Sequence, residues 1–152
     1  MSKSDDERFV YYQECITSLN SAWQIITTLQ EISVTGVIRR AAYHDALIDY
    51  AKPFKQSRGK EKRSYLTDFP SEFSDSDKTL HKRIIDLRDQ FLAHSDLSIK
   101  DATVYKGKIG DRVLPLIISN TDPQLPKPDA VRRLIERLLD YLYQNEETSW
   151  AN

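Results

Sequence analysis

From Asp5 to about Ile32 the apolar residues Phe9, Tyr12, Ile16, Leu19, Trp23 and Ile26 recur at alternating steps of three and four, which lays one stripe along a long helix. The segment Ser33-Val34-Thr35-Gly36 reads as its stop. A second helix is expected from Val37 to about Tyr50, facing inward through Ile38, Ala41, Ala42, Leu47 and Ile48 and ended by Pro53. A third begins around Ser76, where Ser71 to Asp77 is acidic and serine-rich and so suits the positive end of a helix. Its residues Leu80, Ile84, Leu87 and Phe91 repeat at steps of four, three and four, which confines them to one narrow buried seam.

Between Ala102 and Ser119 the period changes. Thr103-Val104-Tyr105 and Val113-Leu114 with Ile117-Ile118 are β-branched, aromatic or aliphatic, and Gly107, Gly110 and Asp111 lie between them, which predicts a short β-hairpin. Pro115 cannot donate to a central ladder, so its strand is expected at an edge or with a bulge. Thr121 to Pro128, with Pro123, Pro126 and Pro128, is a linker into a last helix striped by Val131, Leu134, Ile135, Leu138, Tyr141 and Leu142. The expected fold is mainly α: about four principal helices, a short hairpin between the third and the last, and one domain over residues 1–152.

Composition narrows the picture. With 152 residues and 39% hydrophobic content the chain can enclose one core, and charged residues, 30% of the total, nearly cancel at a net charge of -1. Any basic surface is therefore local. It is expected at Lys52 to Arg63, where Lys52, Lys55, Arg58, Lys60, Lys62 and Arg63 face a lone Glu61 around Pro53 and Gly59; the segment reads as a basic loop, either simply solvated or holding a nucleic-acid backbone. The single Cys15 cannot close an internal disulfide and reads as a packing residue, the polar start has no secretory h-region, and no apolar run is long enough to span a bilayer. A cytoplasmic protein that does not enter membranes is expected. No Gly-rich phosphate loop, paired cysteines or His-Glu-x-x-His motif occurs, so neither a metal site nor a cofactor is expected.

The chemistry concentrates in Leu87-Arg88-Asp89-Gln90-Phe91-Leu92-Ala93-His94-Ser95-Asp96. Arginine offers a fixed positive fork for phosphate oxygens, and histidine exchanges protons near neutral pH. The spacing alone is not specific, since Arg39 and His44 fit it too. What distinguishes Arg88 and His94 is their place on either shoulder of the third helix's seam; if that seam met its own copy across a two-fold axis, both side chains would converge in a shared cleft. His81, seven residues before Arg88, could join them, and its plainer role is an exposed helix histidine. In the plainer account of the pair, Arg88 binds a nearby Asp and His94 finishes a helix.

This stretch resembles the HEPN superfamily (higher eukaryotes and prokaryotes nucleotide-binding domains), in its bacterial abortive-infection and toxin-like branches. Those proteins carry an Arg, a polar residue after it, four to six intervening positions and a His, which here are Arg88, Asp89 and His94. The resemblance implies a helical homodimer with the motif helices meeting and, in active members, a metal-independent endoribonuclease. In that reading His94 moves protons, Arg88 stabilises phosphoryl charge, and Asp89 positions. Single-stranded RNA and a cognate antitoxin are then the expected partners. Other members are inactive, which leaves a second expectation: a dimeric module that binds a nucleotide or a partner protein without turnover.

Overall fold

The structure, a computed structural model, describes residues 3–55, 69–89, 102–119 and 124–150. Its elements are α1 (Lys3–Glu31), α2 (Gly36–Ala51), a short 3-10 turn (Lys52–Phe54), α3 (Asp75–Leu87), strands β1 (Ala102–Ile109) and β2 (Arg112–Ser119), and α4 (Pro128–Trp150). The protein is mainly helical, as its periodicity predicts. Among the described residues no helix is long and apolar enough to cross a membrane.

One apolar core joins all four helices. Tyr12, Ile16, Leu19, Ala22, Ile26 and Leu29 of α1 pack with Val131, Leu134, Ile135, Leu138 and Leu142 of α4, with Tyr43, Ala46, Leu47 and Tyr50 of α2, and with Ile84 of α3. The α4 stripe agrees with expectation except at Tyr141, which is only half-buried. Pro128 suits the first turn of α4, where its missing N–H is no loss, and the carbonyl of Lys127 receives the amides of Ala130 and Val131.

α2 departs from its expected face. Ile38 is 68% exposed and Ala41 is also exposed, while Tyr43, Ala46, Leu47, Asp49, Tyr50 and Ala51 are the buried positions. The reason is that the two tyrosines, one heptad apart, find acceptors for their hydroxyls inside: Tyr43 donates to the Pro126 carbonyl at 2.6 Å, and Tyr50 meets His81 at 2.9 Å. A tyrosine whose hydroxyl is satisfied can be buried at little polar cost. Gly36 does not end α1 but opens α2, at φ 68, a left-handed conformation in which a side chain would be strained.

The hairpin forms in unbroken antiparallel register, from Ala102 opposite Ser119 to Ile109 opposite Arg112. Only Gly110 and Asp111 connect the strands, and Gly110 supplies the positive φ of 60 that such a tight connection needs. Gly107, expected in the turn, instead pairs with Leu114 inside the ladder. Pro115 sits opposite Lys106 with no bulge, which is tolerable because each strand of a two-stranded sheet has one free edge.

α3 is the element that positions the candidate chemistry. Ser74 caps it by accepting the Asp77 amide at 3.2 Å, and Asp75 and Asp77 place negative charge in the first turn. Of the expected seam, Ile84 is wholly buried in this chain's own core, Leu80 packs against that core and Leu87 is half-buried; Phe91 lies outside the described residues. The centre of the seam is thus already covered within one chain. A dimer that brings two α3 ends together has to use another face.

Candidate functional site

α3 carries two polar clusters with opposite environments. At its middle, His81 is flanked by aromatic rings: Phe69 stacks on it at 4.3 Å between centroids, Phe54 meets it edge-on at 4.5 Å, and Tyr50 lies at 5.9 Å. Phe54 closes the 3-10 turn and Phe69 stands on the far side of residues 56–68, so this one ring gathers the chain before and after the basic segment. The expectation of an exposed histidine is corrected, because Tyr50 supplies a polar partner for Nδ1 that lets the imidazole be enclosed.

Burial lowers the His81 pKa to about 4, which keeps the ring neutral at pH 7 and able to accept a hydrogen bond from the Tyr50 hydroxyl at Nδ1. Burial also pushes Tyr50 well above its ordinary value, with the nearby negative charge of Asp77 adding to it. Asp77 is itself buried and ion-paired to Arg137 of α4. His81 therefore belongs to the scaffold, and no observation assigns it to a shared cleft.

At the other end, the Arg88 amide still closes the helix, shared between the carbonyls of Ile84 and Ile85, and from Arg88 to Asp89 the backbone passes into a wider, π-type turn. Such turns are frequent at functional sites. Asp89 there accepts from two cations: Arg88 Nη1 on Oδ1 at 2.9 Å, and Lys55 Nζ on Oδ2. All three are half-buried, with side-chain exposures of 30% for Arg88, 31% for Lys55 and 38% for Asp89. Burial raises the Asp89 pKa, but the hydrogen bonds and charges of Lys55 and Arg88 outweigh it and hold the carboxyl below its ordinary range. The Asp89 carboxylate is therefore ionised at neutral pH.

The structure thus brings together Arg88 and Asp89 of the motif with Lys55 of the basic segment. Lys52 is drawn elsewhere. Its Nζ lies 2.5 Å from Asp49 Oδ1, while Ser21 donates to Asp49 Oδ2 at 2.6 Å, so both oxygens of that buried carboxylate are used by the fold. Arg58, Lys60, Lys62, Arg63 and His94 lie outside the described residues. Of the second Arg/His pair, Arg39 donates to the Leu29 carbonyl at 2.5 Å, tying α2 back to α1.

Sequence reasoning selected Lys55 and Asp89 separately and missed that they bond across 34 positions. It also missed Tyr50, Phe54 and Phe69 around His81; the aromatic residues on either side of the basic run were the available signal. Cys15 is buried, and burial, followed by the charge of Glu14, raises its pKa to about 12, which makes it an inert thiol. Among the described residues no group of three or more His, Cys, Asp or Glu side chains gathers as a metal shell. Comparison with protein-family models, with curated proteins and with solved structures gave no match.

Proposed function

We propose that this chain is a metal-independent endoribonuclease of the HEPN type, a homodimer acting on single-stranded RNA in the manner of a toxin or antiphage abortive-infection effector. The observation that carries the reading is the half-exposed cluster of Arg88, Asp89 and Lys55, which sets a guanidinium beside the root of the basic segment, six positions before His94. In the reaction a ribose 2′-hydroxyl gives up its proton and its oxygen bonds to the adjacent phosphorus. The bond from phosphorus to the 5′-oxygen breaks, and that oxygen takes up a proton. The products are a 2′,3′-cyclic phosphate and a 5′-hydroxyl.

His94 is the proton-transfer residue, a role typically worth about 10²- to 10⁴-fold in rate. Arg88 stabilises the negative charge that builds on the phosphoryl oxygens, and Asp89 positions Arg88. Lys55 and the further cations Arg58, Lys60, Lys62 and Arg63 hold the strand. The homodimer forms where two α3 ends meet beyond Leu87, since Ile84 is already covered.

The test is incubation of single-stranded RNA with purified protein in excess EDTA. Cleavage by the wild type, lost in His94→Ala and in Arg88→Ala, is the expected result; RNA left intact by the folded wild type at neutral pH overturns the reading. One observation favours a second reading, a dimeric module that binds a nucleotide or a partner protein such as an antitoxin without turnover: the Arg88 fork is already engaged by the neighbouring Asp89. In that case His94→Ala leaves partner affinity unchanged.

A further inference from the structure

Two cations from separate parts of the chain converge on Asp89, each on its own oxygen: Lys55 on Oδ2 and Arg88 on Oδ1. This is the arrangement in which a lysine and an arginine hold a phosphodiester, one on each non-bridging oxygen, and a carboxylate presents two oxygens at nearly the same spacing. We propose that Lys55 and Arg88 form a phosphate subsite and that Asp89 occupies it as an internal substitute, to be displaced by a phosphodiester of a single-stranded nucleic acid.

The physical case rests on charge, reach and exposure. Lys55 stands directly after the 3-10 turn, where Phe54 packs on His81, so the aromatic cluster fixes the backbone from which its ammonium reaches the end of α3. Arg88 and Asp89 are adjacent in sequence, so their contact is local and can open by side-chain rotation without disturbing the core. All three groups remain about one-third exposed, which leaves a path for the incoming anion. Ion pairs this exposed are weak enough for a phosphate to replace, because water already screens them. Asp89 then has a second effect beyond positioning Arg88: it competes with the substrate and keeps the two cations from holding anions indiscriminately.

The inference deepens the nuclease reading but is tested separately from it, with a short fluorescent single-stranded 2′-deoxy oligonucleotide that has no attacking hydroxyl. Binding is followed by anisotropy at several salt concentrations for the full chain. Asp89→Asn is expected to tighten binding about two- to fivefold, the scale of one partly exposed charge pair, whereas Asp89→Glu, which keeps the charge, stays close to wild type. Adding Lys55→Ala to Asp89→Asn should abolish the gain and lower the salt dependence. In parallel, Asp89→Asn acting on RNA should show a lower KM with a lower kcat, because substrate enters more easily while Arg88 loses its guide.

Unchanged or weaker oligonucleotide binding by Asp89→Asn, with a wild-type circular dichroism spectrum, overturns the subsite. Should that substitution unfold the chain, Lys55→Ala decides instead: affinity equal to wild type overturns the subsite, and a several-fold loss supports it. RNA cleavage by the wild type with no tightening in Asp89→Asn removes the subsite and leaves the nuclease standing. Tightening with no cleavage by any variant removes the nuclease and leaves the subsite.

Discussion

The N-terminal half of α3 and its C-terminal end place polar side chains in opposite circumstances. Over the N-terminal half, Asp77 and Tyr50 are buried and His81 is half-buried between rings, and partners within the fold satisfy them: a phenol for the imidazole, an arginine for the carboxylate. At the finish, Arg88, Asp89 and Lys55 make ion pairs that still meet solvent. Polar groups of the N-terminal half are tied to partners on other helices, Tyr50 of α2 and Arg137 of α4. Those at the C-terminal end stay within reach of water, which is what the proposed exchange of Asp89 for a phosphate requires. Chemistry-bearing residues on and beside one helix are thus divided by burial into an inward set and a solvent-facing set.

The sharpest way to break this comparison is to attack the buried end. Ile84→Ala removes a side chain with no exposure, part of the one apolar core, and should cost about 2 to 5 kcal/mol in urea unfolding. A loss under about 1 kcal/mol would mean that α3 is not anchored where the structure has it.

A gentler probe is pH. His81 has a pKa of about 4 in the fold against an ordinary 6.5, so between those values the unfolded chain binds the extra proton. Its contribution is complete above about pH 6.5, declines as pH falls, and levels off below about 4. After discounting for the part of the ring that meets solvent, the loss amounts to roughly 1 to 2 kcal/mol. The stability difference between pH 7 and pH 4.5 should shrink by that amount in His81→Gln; an identical difference in both proteins would show that the ring is not enclosed.

The smallest effect is expected at the exposed end. Lys55→Ala should change stability by less than about 1 kcal/mol, because its pair with Asp89 is screened by water, while the same substitution weakens oligonucleotide binding. A large stability loss here would erase the distinction between the two ends.

How much of this could be read from the sequence varied with the kind of residue. The α4 stripe was legible because Val131, Leu134, Ile135 and Leu138 are purely apolar and can satisfy themselves only by burial. α2 was misjudged where tyrosines carry the buried face, since their place depends on acceptors far along the chain: the Pro126 carbonyl for Tyr43 and the His81 ring for Tyr50. His81 escapes the pattern for the same reason. Periodicity sorts side chains by hydrophobicity, and a histidine enclosed by Phe54, Phe69 and Tyr50 can be recognised only once the chain has folded.

The candidate site divides similarly. Arg88 and Asp89 were legible as a motif and Lys55 as part of a basic run, but the bridge between them depends on a turn at Lys52–Phe54 that returns the chain to the end of α3. The pairing of Arg88 with an aspartate, the plainer of the two accounts of that residue, is what the structure contains. Local pairing and phosphate binding need not compete as explanations, because the same exposed carboxylate can position the arginine and yield its place.

The central claim concerns the attacking group, and a chimeric strand tests it most directly. A DNA oligonucleotide with a single ribonucleotide, incubated in EDTA with the wild-type protein, should be cut only at the phosphodiester following that ribose, leaving a 2′,3′-cyclic phosphate and a 5′-hydroxyl by mass spectrometry. His94→Ala should leave it whole. Cleavage of an all-DNA strand, or a chimera that survives a protein shown to bind it, would contradict the account.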